Sequence, residues 1–104
     1  MKKYKKASES FDKAIELDPQ NKYVYFNYGG CYFLTKKYNK ALEILEKAAQ
    51  IQNSEDNLAA IYYLRGMVYE KLKDKTKAKA NYAKALEIYP EFNVRKFKKN
   101  LFNH

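Results

Sequence analysis

Residues 22–55 read KYVYFNYGGCYFLTKKYNKALEILEKAAQIQNSE, and this stretch decides the fold. Its apolar residues recur every three or four positions, first as Tyr25, Tyr28-Gly29 and Tyr32, then as Tyr38, Ala41, Leu45 and Ala48. That is the helical period, so the stretch predicts two helices in succession. The first is broken by the polar Thr35-Lys36-Lys37. The same pattern returns along the chain. Tyr4, Ala7, Phe11 and Ala14 precede Tyr38, Ala41, Leu45 and Ala48 by 34 residues, and Ala78, Tyr82 and Ala85 follow at an offset of 37. Tyr25, Gly29 and Tyr32 recur as Tyr62, Gly66 and Tyr69, again 37 residues on. Self-similarity at such a period is the mark of a repeat architecture.

The three extra residues are placed at Asp56-Asn57-Leu58, where a polar loop would absorb them. Pro19 and Pro90 stand just beyond helical stretches, where a residue without an amide hydrogen ends the ladder. Asp74 stands where an N-cap is needed. Helices are therefore predicted at about 2–17, 22–35, 38–51, 57–72, 75–88 and 93–102.

This pattern resembles the tetratricopeptide repeat family, in which each repeat is two antiparallel helices, A and B. Residues 22–55 and 59–92 match whole repeats, with Asn53 in place of the closing proline of the first and Pro90 present in the second. Residues 1–21 match only a B half, through Tyr4, Ala7, Phe11, Ala14, Asp18 and Pro19. The resemblance implies an all-α fold, a short right-handed α-solenoid of about six helices. It implies one domain over 1–104: a half repeat (1–21), a repeat (22–55), a linker insertion (56–58), a repeat (59–92) and a C-terminal capping helix (93–104). Gly29, Gly66, Ala41, Ala48, Ala78 and Ala85 are small where A and B helices approach closely, and the large aromatics fill the wedges beside them. Two departures stand out. Arg65 replaces the usual Leu, and Lys36 and Lys73 occupy turn positions where the family often has Gly. A Lys in the left-handed conformation there costs about 1 kcal/mol.

The two ends of the chain lack full partners in this pattern. The first helix could pack on the next pair, be the remnant of a longer array, or pair with another chain. Residues 91–102 form an amphipathic helix with Val94, Phe97 and Leu101 on one side and Arg95, Lys96, Lys98 and Lys99 on the other. A terminal cap with a polar outer face is what a repeat array needs; a basic amphipathic helix also suits a membrane surface or a partner.

With 104 residues the chain has enough length for a core without disulfides, and its single cysteine, Cys31, allows no internal one. Cys31 falls at a helix-contact position, where a buried and inert thiol is expected. His104 is the single histidine, and the three glycines offer no phosphate loop, so no enzyme constellation is visible and neither a cofactor nor a metal is expected. No apolar run approaches a membrane span and no signal-peptide core follows the basic start, which makes the expected setting cytoplasmic. Lys and Arg number 21 against 12 Asp and Glu, a net charge of +9, yet only Arg65 and Arg95 carry the planar fork suited to phosphate.

In the family, A-helix positions away from the core stripe line a concave groove that takes peptides. Carried over, the groove residues are Tyr23, Phe26, Asn27, Gly30, Phe33, Ala60, Tyr63, Leu64, Met67 and Glu70. The function expected is a non-enzymatic interaction module, an adaptor or scaffold, that binds a protein or peptide with apolar anchors. Chaperone-binding members grip a peptide's C-terminal carboxylate with Lys, Asn and Arg on successive A helices. Asn27 matches the Asn, but Ala60 and Leu64 stand where Lys and Arg would be needed, so no such clamp is expected. Two other readings stay open: RNA or another polyanion on a Lys-rich surface (Lys2, Lys3, Lys5, Lys6; Lys71, Lys73, Lys75, Lys77, Lys79; Arg95, Lys96, Lys98, Lys99), and self-assembly into a homo-oligomer through the terminal helices.

Overall fold

The computed structural model describes residues 2–51 and 54–102, and side chains throughout these except at 2–7 and 22. Tyr4, Ala7 and the lysines at 2, 3, 5 and 6 therefore lie outside the described side chains, and Asn53 and His104 outside the described residues. Six α-helices and no strand occur among the described residues, so the chain is an all-α helical repeat. It forms two compact units, residues 1–53 and 54–104.

The first unit holds α1 (Lys2–Leu17), α2 (Lys22–Leu34) and α3 (Tyr38–Gln50). Asn21 starts α2: its side-chain oxygen accepts from the amides of Tyr23 at 3.1 Å and Val24 at 3.2 Å. The helix ends in a Schellman turn. Lys37 N–H donates to the Tyr32 carbonyl at 2.8 Å and Lys36 N–H to that of Phe33 at 3.1 Å, with Lys36 left-handed at φ 64°. That closed turn reverses the chain, and α3 returns to bury Ala41, Leu45 and Ala48 completely. Gly29 permits the approach, since a Cβ there would lie 2.6 Å from Leu45 Cδ2.

The second unit holds α4 (Glu55–Lys71), α5 (Lys75–Ile88) and α6 (Val94–Phe102). The expected linker at 56–58 is instead part of α4. Ser54 takes the extended N-cap conformation and Glu55 and Asp56 fill the first turn, where carboxylates meet the positive end of the helix dipole. The three extra residues therefore lengthen the helix. Its far end repeats the Schellman turn residue for residue: Asp74 N–H donates to the Tyr69 carbonyl at 2.9 Å, Lys73 N–H to that of Glu70 at 3.0 Å, and Lys73 has φ 63°. Both lysines thus hold the strained conformation expected of them. Asp74 then caps α5, accepting from Lys77 N–H at 3.1 Å. A Cβ on Gly66 would lie 2.6 Å from two carbons of the Tyr82 ring, so here too the backbone of one helix rests on a bulky side chain of the next. After Pro90, Asn93 caps α6 through Lys96 N–H at 2.9 Å, and Leu101 is buried.

Candidate functional site

The expected groove residues sort by helix. On α2, Tyr23 is 61% exposed, Phe26 is half-buried and Asn27 is exposed, all at the N-terminal end of the helix. Gly30 and Phe33 are buried, and the Phe33 ring packs tilted against Tyr38 at 6.0 Å between centroids. On α4 the expected open face is largely closed. Leu64 is fully buried and Met67 is 7% exposed. Tyr63 is half-buried within an aromatic cluster, 4.6 Å from Tyr82, 5.5 Å from Phe92 and 5.7 Å from Phe97 between ring centroids. Phe92 and Phe97 meet edge to face at 5.5 Å. Ala60 is half-buried, and the exposed Glu70 accepts a hydrogen bond from the Tyr82 hydroxyl. Helical periodicity located these residues on a non-core stripe of α4; it carried no information that α6 and the segment before it would fold back over Tyr63.

Tyr82 is an unusual occupant of such a core position, being polar at one end. Burial chiefly, then the Glu70 charge, holds its phenol well above the ordinary tyrosine pKa, so it stays protonated and donates.

The first unit solves the same problem with a network that sequence reasoning missed. Tyr28 is buried and its hydroxyl donates to Asp12 Oδ1 at 2.7 Å. It accepts from the Tyr32 hydroxyl at 2.8 Å. Its single proton being committed to Asp12, Tyr28 also accepts from Ser8, whose Oγ lies 3.1 Å away. Burial is the main cause of a raised Tyr28 pKa; the bond from Ser8 opposes it, and the bond to Asp12, made by the protonated phenol, adds to it. The rings stack as well: Phe11 on Tyr28 at 5.2 Å and Tyr28 on Tyr32 at 4.6 Å. The available signal was Tyr28 itself, since a buried phenol requires a partner and the preceding helix carries several acceptors, Asp12 among them.

Two smaller features repeat between the units. Lys40 Nζ stands 6.0 Å from the Tyr32 ring centre, and Lys77 Nζ 5.6 Å from that of Tyr69. Arg65, in place of the expected Leu, lays its guanidinium over the Tyr62 ring at 5.3 Å; its Nε is buried and makes no hydrogen bond among the described residues. Cys31 is half-buried rather than buried as expected; burial raises its pKa, against the opposing charge of Lys37. Among the described residues no cluster of three metal-ligating side chains occurs, and no helix is long and apolar enough to cross a membrane.

Two helices closed by a Schellman turn, a glycine of the first resting on a bulky side chain of the second, and a second copy 37 residues on define the repeating unit. Tetratricopeptide repeat profiles match residues 21–91 and 1–21. The chain belongs to the tetratricopeptide repeat family. It is 42% identical over 50 residues, 48% of its length, to stress-induced-phosphoprotein 1 of Caenorhabditis elegans. It is 34% identical over 89 residues, 86% of its length, to the BBSome complex member BBS4 of Mus musculus. To the heat shock protein STI1 of Saccharomyces cerevisiae it is 36% identical over 88 residues, 84% of its length. The tetratricopeptide chain spans only 14–16% of the length of these relatives. Among solved structures, the N-terminal domain of stress-induced protein-1 from C. elegans superposes with a TM-score of 0.75 at 26% identity, covering 89% of this chain and 74% of that one.

Proposed function

We propose that the chain is a non-enzymatic protein–protein interaction module that binds a peptide or short helix through apolar anchors on the A helix of its first repeat. One observation carries this reading. The N-terminal half of α2 presents Tyr23, Phe26 and Asn27 away from the Tyr25, Tyr28 and Gly29 stripe, and the large ring of Tyr23 is mostly exposed. Tyr and Phe give large contact area at small entropy cost, which suits them to anchor a ligand. The names of two relatives support the class: one is a BBSome complex member and another, 29% identical over 96 residues, is anaphase-promoting complex subunit 3 of Schizosaccharomyces pombe. The proposal rests on α2 alone, because Leu64 and Met67 of α4 are buried. A carboxylate clamp is not part of the proposal: at the needed positions α4 offers Ala60 and a buried Leu64, with no cation at either.

The test is a pull-down from nuclease-treated native extract with wild type beside a Tyr23→Ala/Phe26→Ala variant of unchanged circular dichroism. A partner kept by wild type and lost by the variant supports the reading. A partner that binds both equally overturns it. Tyr63 is unsuitable for this purpose, since truncating it would open a hole among Tyr82, Phe92 and Phe97.

The polyanion reading rests on the exposure of Lys71, Lys73, Lys75, Lys77 and Lys79 and of Arg95, Lys96, Lys98 and Lys99. Its signature would be capture that disappears with nuclease and falls steeply with salt.

A further inference from the structure

Five lysines crowd the turn that joins α4 to α5. Residues 71–79 read KLKDKTKAK, with one aspartate among the five, and they span the end of α4, the Schellman turn and the start of α5. Lys71, Lys73, Lys75, Lys77 and Lys79 are all exposed. The fold does not ask for them. In the first unit the places of Lys71, Lys75 and Lys79 are held by Leu34, Tyr38 and Leu42, each half-buried. At the place of Lys73, which is left-handed at φ 63°, glycine is the less strained residue.

Their arrangement discriminates among anionic partners. At about 100° per residue, Lys75 and Lys79 share one flank of α5 while Lys77 lies on the opposite flank. An extended strand laid along the hairpin meets one flank at a time. A flat surface met end-on by the turn takes Lys71, Lys73, Lys75 and Lys77 together. It also takes Leu72, an apolar side chain 39% exposed in the middle of the group, where the first unit has Thr35. Tyr69, the ring beside these lysines, is half-buried with the Lys77 ammonium 5.6 Å from its centre, a poor platform for stacked bases. The basic helix α6 lacks the apolar half of such a contact. Its Phe97 ring is set against Tyr63 and its Leu101 is buried.

We propose that the α4–α5 turn docks end-on against the surface of an anionic lipid bilayer, with Leu72 entering the headgroup layer inside a collar of lysines. The proposal rests on the polyanion reading above and names the polyanion. Lysine suits the task, since a membrane presents diffuse negative charge rather than one phosphate to be gripped by a planar fork. Each ammonium reaches the headgroups on a flexible stem that can lie along the apolar residue beside it.

The probe is a vesicle of phosphatidylcholine with about 30% phosphatidylserine, mixed with the full chain at about 0.1 M salt and sedimented. Retention on these vesicles, and not on pure phosphatidylcholine, is expected. Lys71→Gln/Lys73→Gly should weaken retention about twentyfold, each lysine near an anionic surface being worth about fivefold. Glycine relaxes the turn, so this loss does not come from unfolding, and unchanged circular dichroism checks it. Lys98→Gln/Lys99→Gln removes equal charge from α6 and should weaken retention less than about threefold. The chain has no tryptophan, so Leu72→Trp reports on the turn directly: its emission should shift to the blue when the anionic vesicles are added. No retention, equal retention on both kinds of vesicle, equal losses from the two lysine pairs, or an unshifted emission would each overturn the proposal. A labelled uridine oligonucleotide, tested in parallel, separates two failures. Binding to the oligonucleotide and to no vesicle overturns the membrane proposal and leaves the polyanion reading standing; binding to neither overturns both.

Discussion

The α2–α3 and α4–α5 pairs share a backbone turn down to its individual hydrogen bonds, yet they are finished differently on every side. After the turn, α5 begins at Asp74, whose carboxylate caps it, while α3 begins at Lys37, which makes no side-chain cap bond. Under the first helix, Gly29 meets a branched aliphatic chain and Gly66 an aromatic ring. On the outer side, α1 engages α2 through hydroxyls and stacked rings, whereas Phe92 and Phe97, before and on α6, set their rings against Tyr63 of α4. The comparison teaches that the repeat fixes the crossing of two helices and little else. What lies against the first helix, and so whether its outer residues are surface or core, is set by each unit's own flanking segment.

The largest expected contrast separates two residues that the repeat pattern assigns to one groove. Tyr63→Ala should cost about 2–3 kcal/mol in urea unfolding, because three neighbouring rings lose a partner. Tyr23→Ala, at an exposed site, should cost no more than about 0.5 kcal/mol. Equal costs would mean that the two units treat their outer faces alike, and the comparison would break.

Next come the glycines. Gly66→Ala should cost about 2–3 kcal/mol, since the Tyr82 ring is held by Tyr63 and Glu70 and cannot swing away, and Gly29→Ala about 1–2, since Leu45 can change rotamer. A reversed order would show that the aromatic contact yields more easily than the aliphatic one.

The caps give a smaller pair of opposite sign. Asp74→Ala should lower stability by about 1 kcal/mol and Lys37→Asp should raise it by a similar amount. If Lys37→Asp gains nothing, the two turns differ in more than the capping side chain. Smallest of all, Lys36→Gly and Lys73→Gly should each raise the urea midpoint through a gain of about 0.5–1 kcal/mol, equal in the two units because φ differs by a single degree between 64° and 63°.

Most of the fold was legible. Five of the six helix starts, at 2, 22, 38, 75 and 94, fall within one residue of expectation, because caps, prolines and periodicity agree there. The exception, α4, starts two residues early: Asp56 and Asn57 read as a loop by polarity, while their place behind an N-cap serine made them a first turn. The turn lysines could be placed because only the repeat alignment, and no property of lysine, demands a left-handed residue there. Exposure along the expected stripe was half legible. Tyr23 and Asn27 are exposed as their stripe implies, but the burial of Leu64 and Met67 and the covering of Tyr63 depend on neighbours that the period of α4 does not encode. Nothing in the local sequence around Asp12 marks it as a partner of Tyr28, which lies 16 residues away on another helix.

The Asp12–Tyr28–Tyr32 chain has a consequence for how α1 docks. Rings stacked as Phe11, Tyr28 and Tyr32 are tolerate sliding, because dispersion between flat faces varies little with a small offset. Hydroxyls do not. Shifting α1 along α2 by one turn, about 5.4 Å, would carry Asp12 out of reach and break the 2.7 Å bond that Tyr28 donates to it. The network therefore acts as a detent: the aromatic stack supplies most of the grip, and a single proton pointing one way sets the register in which the grip closes.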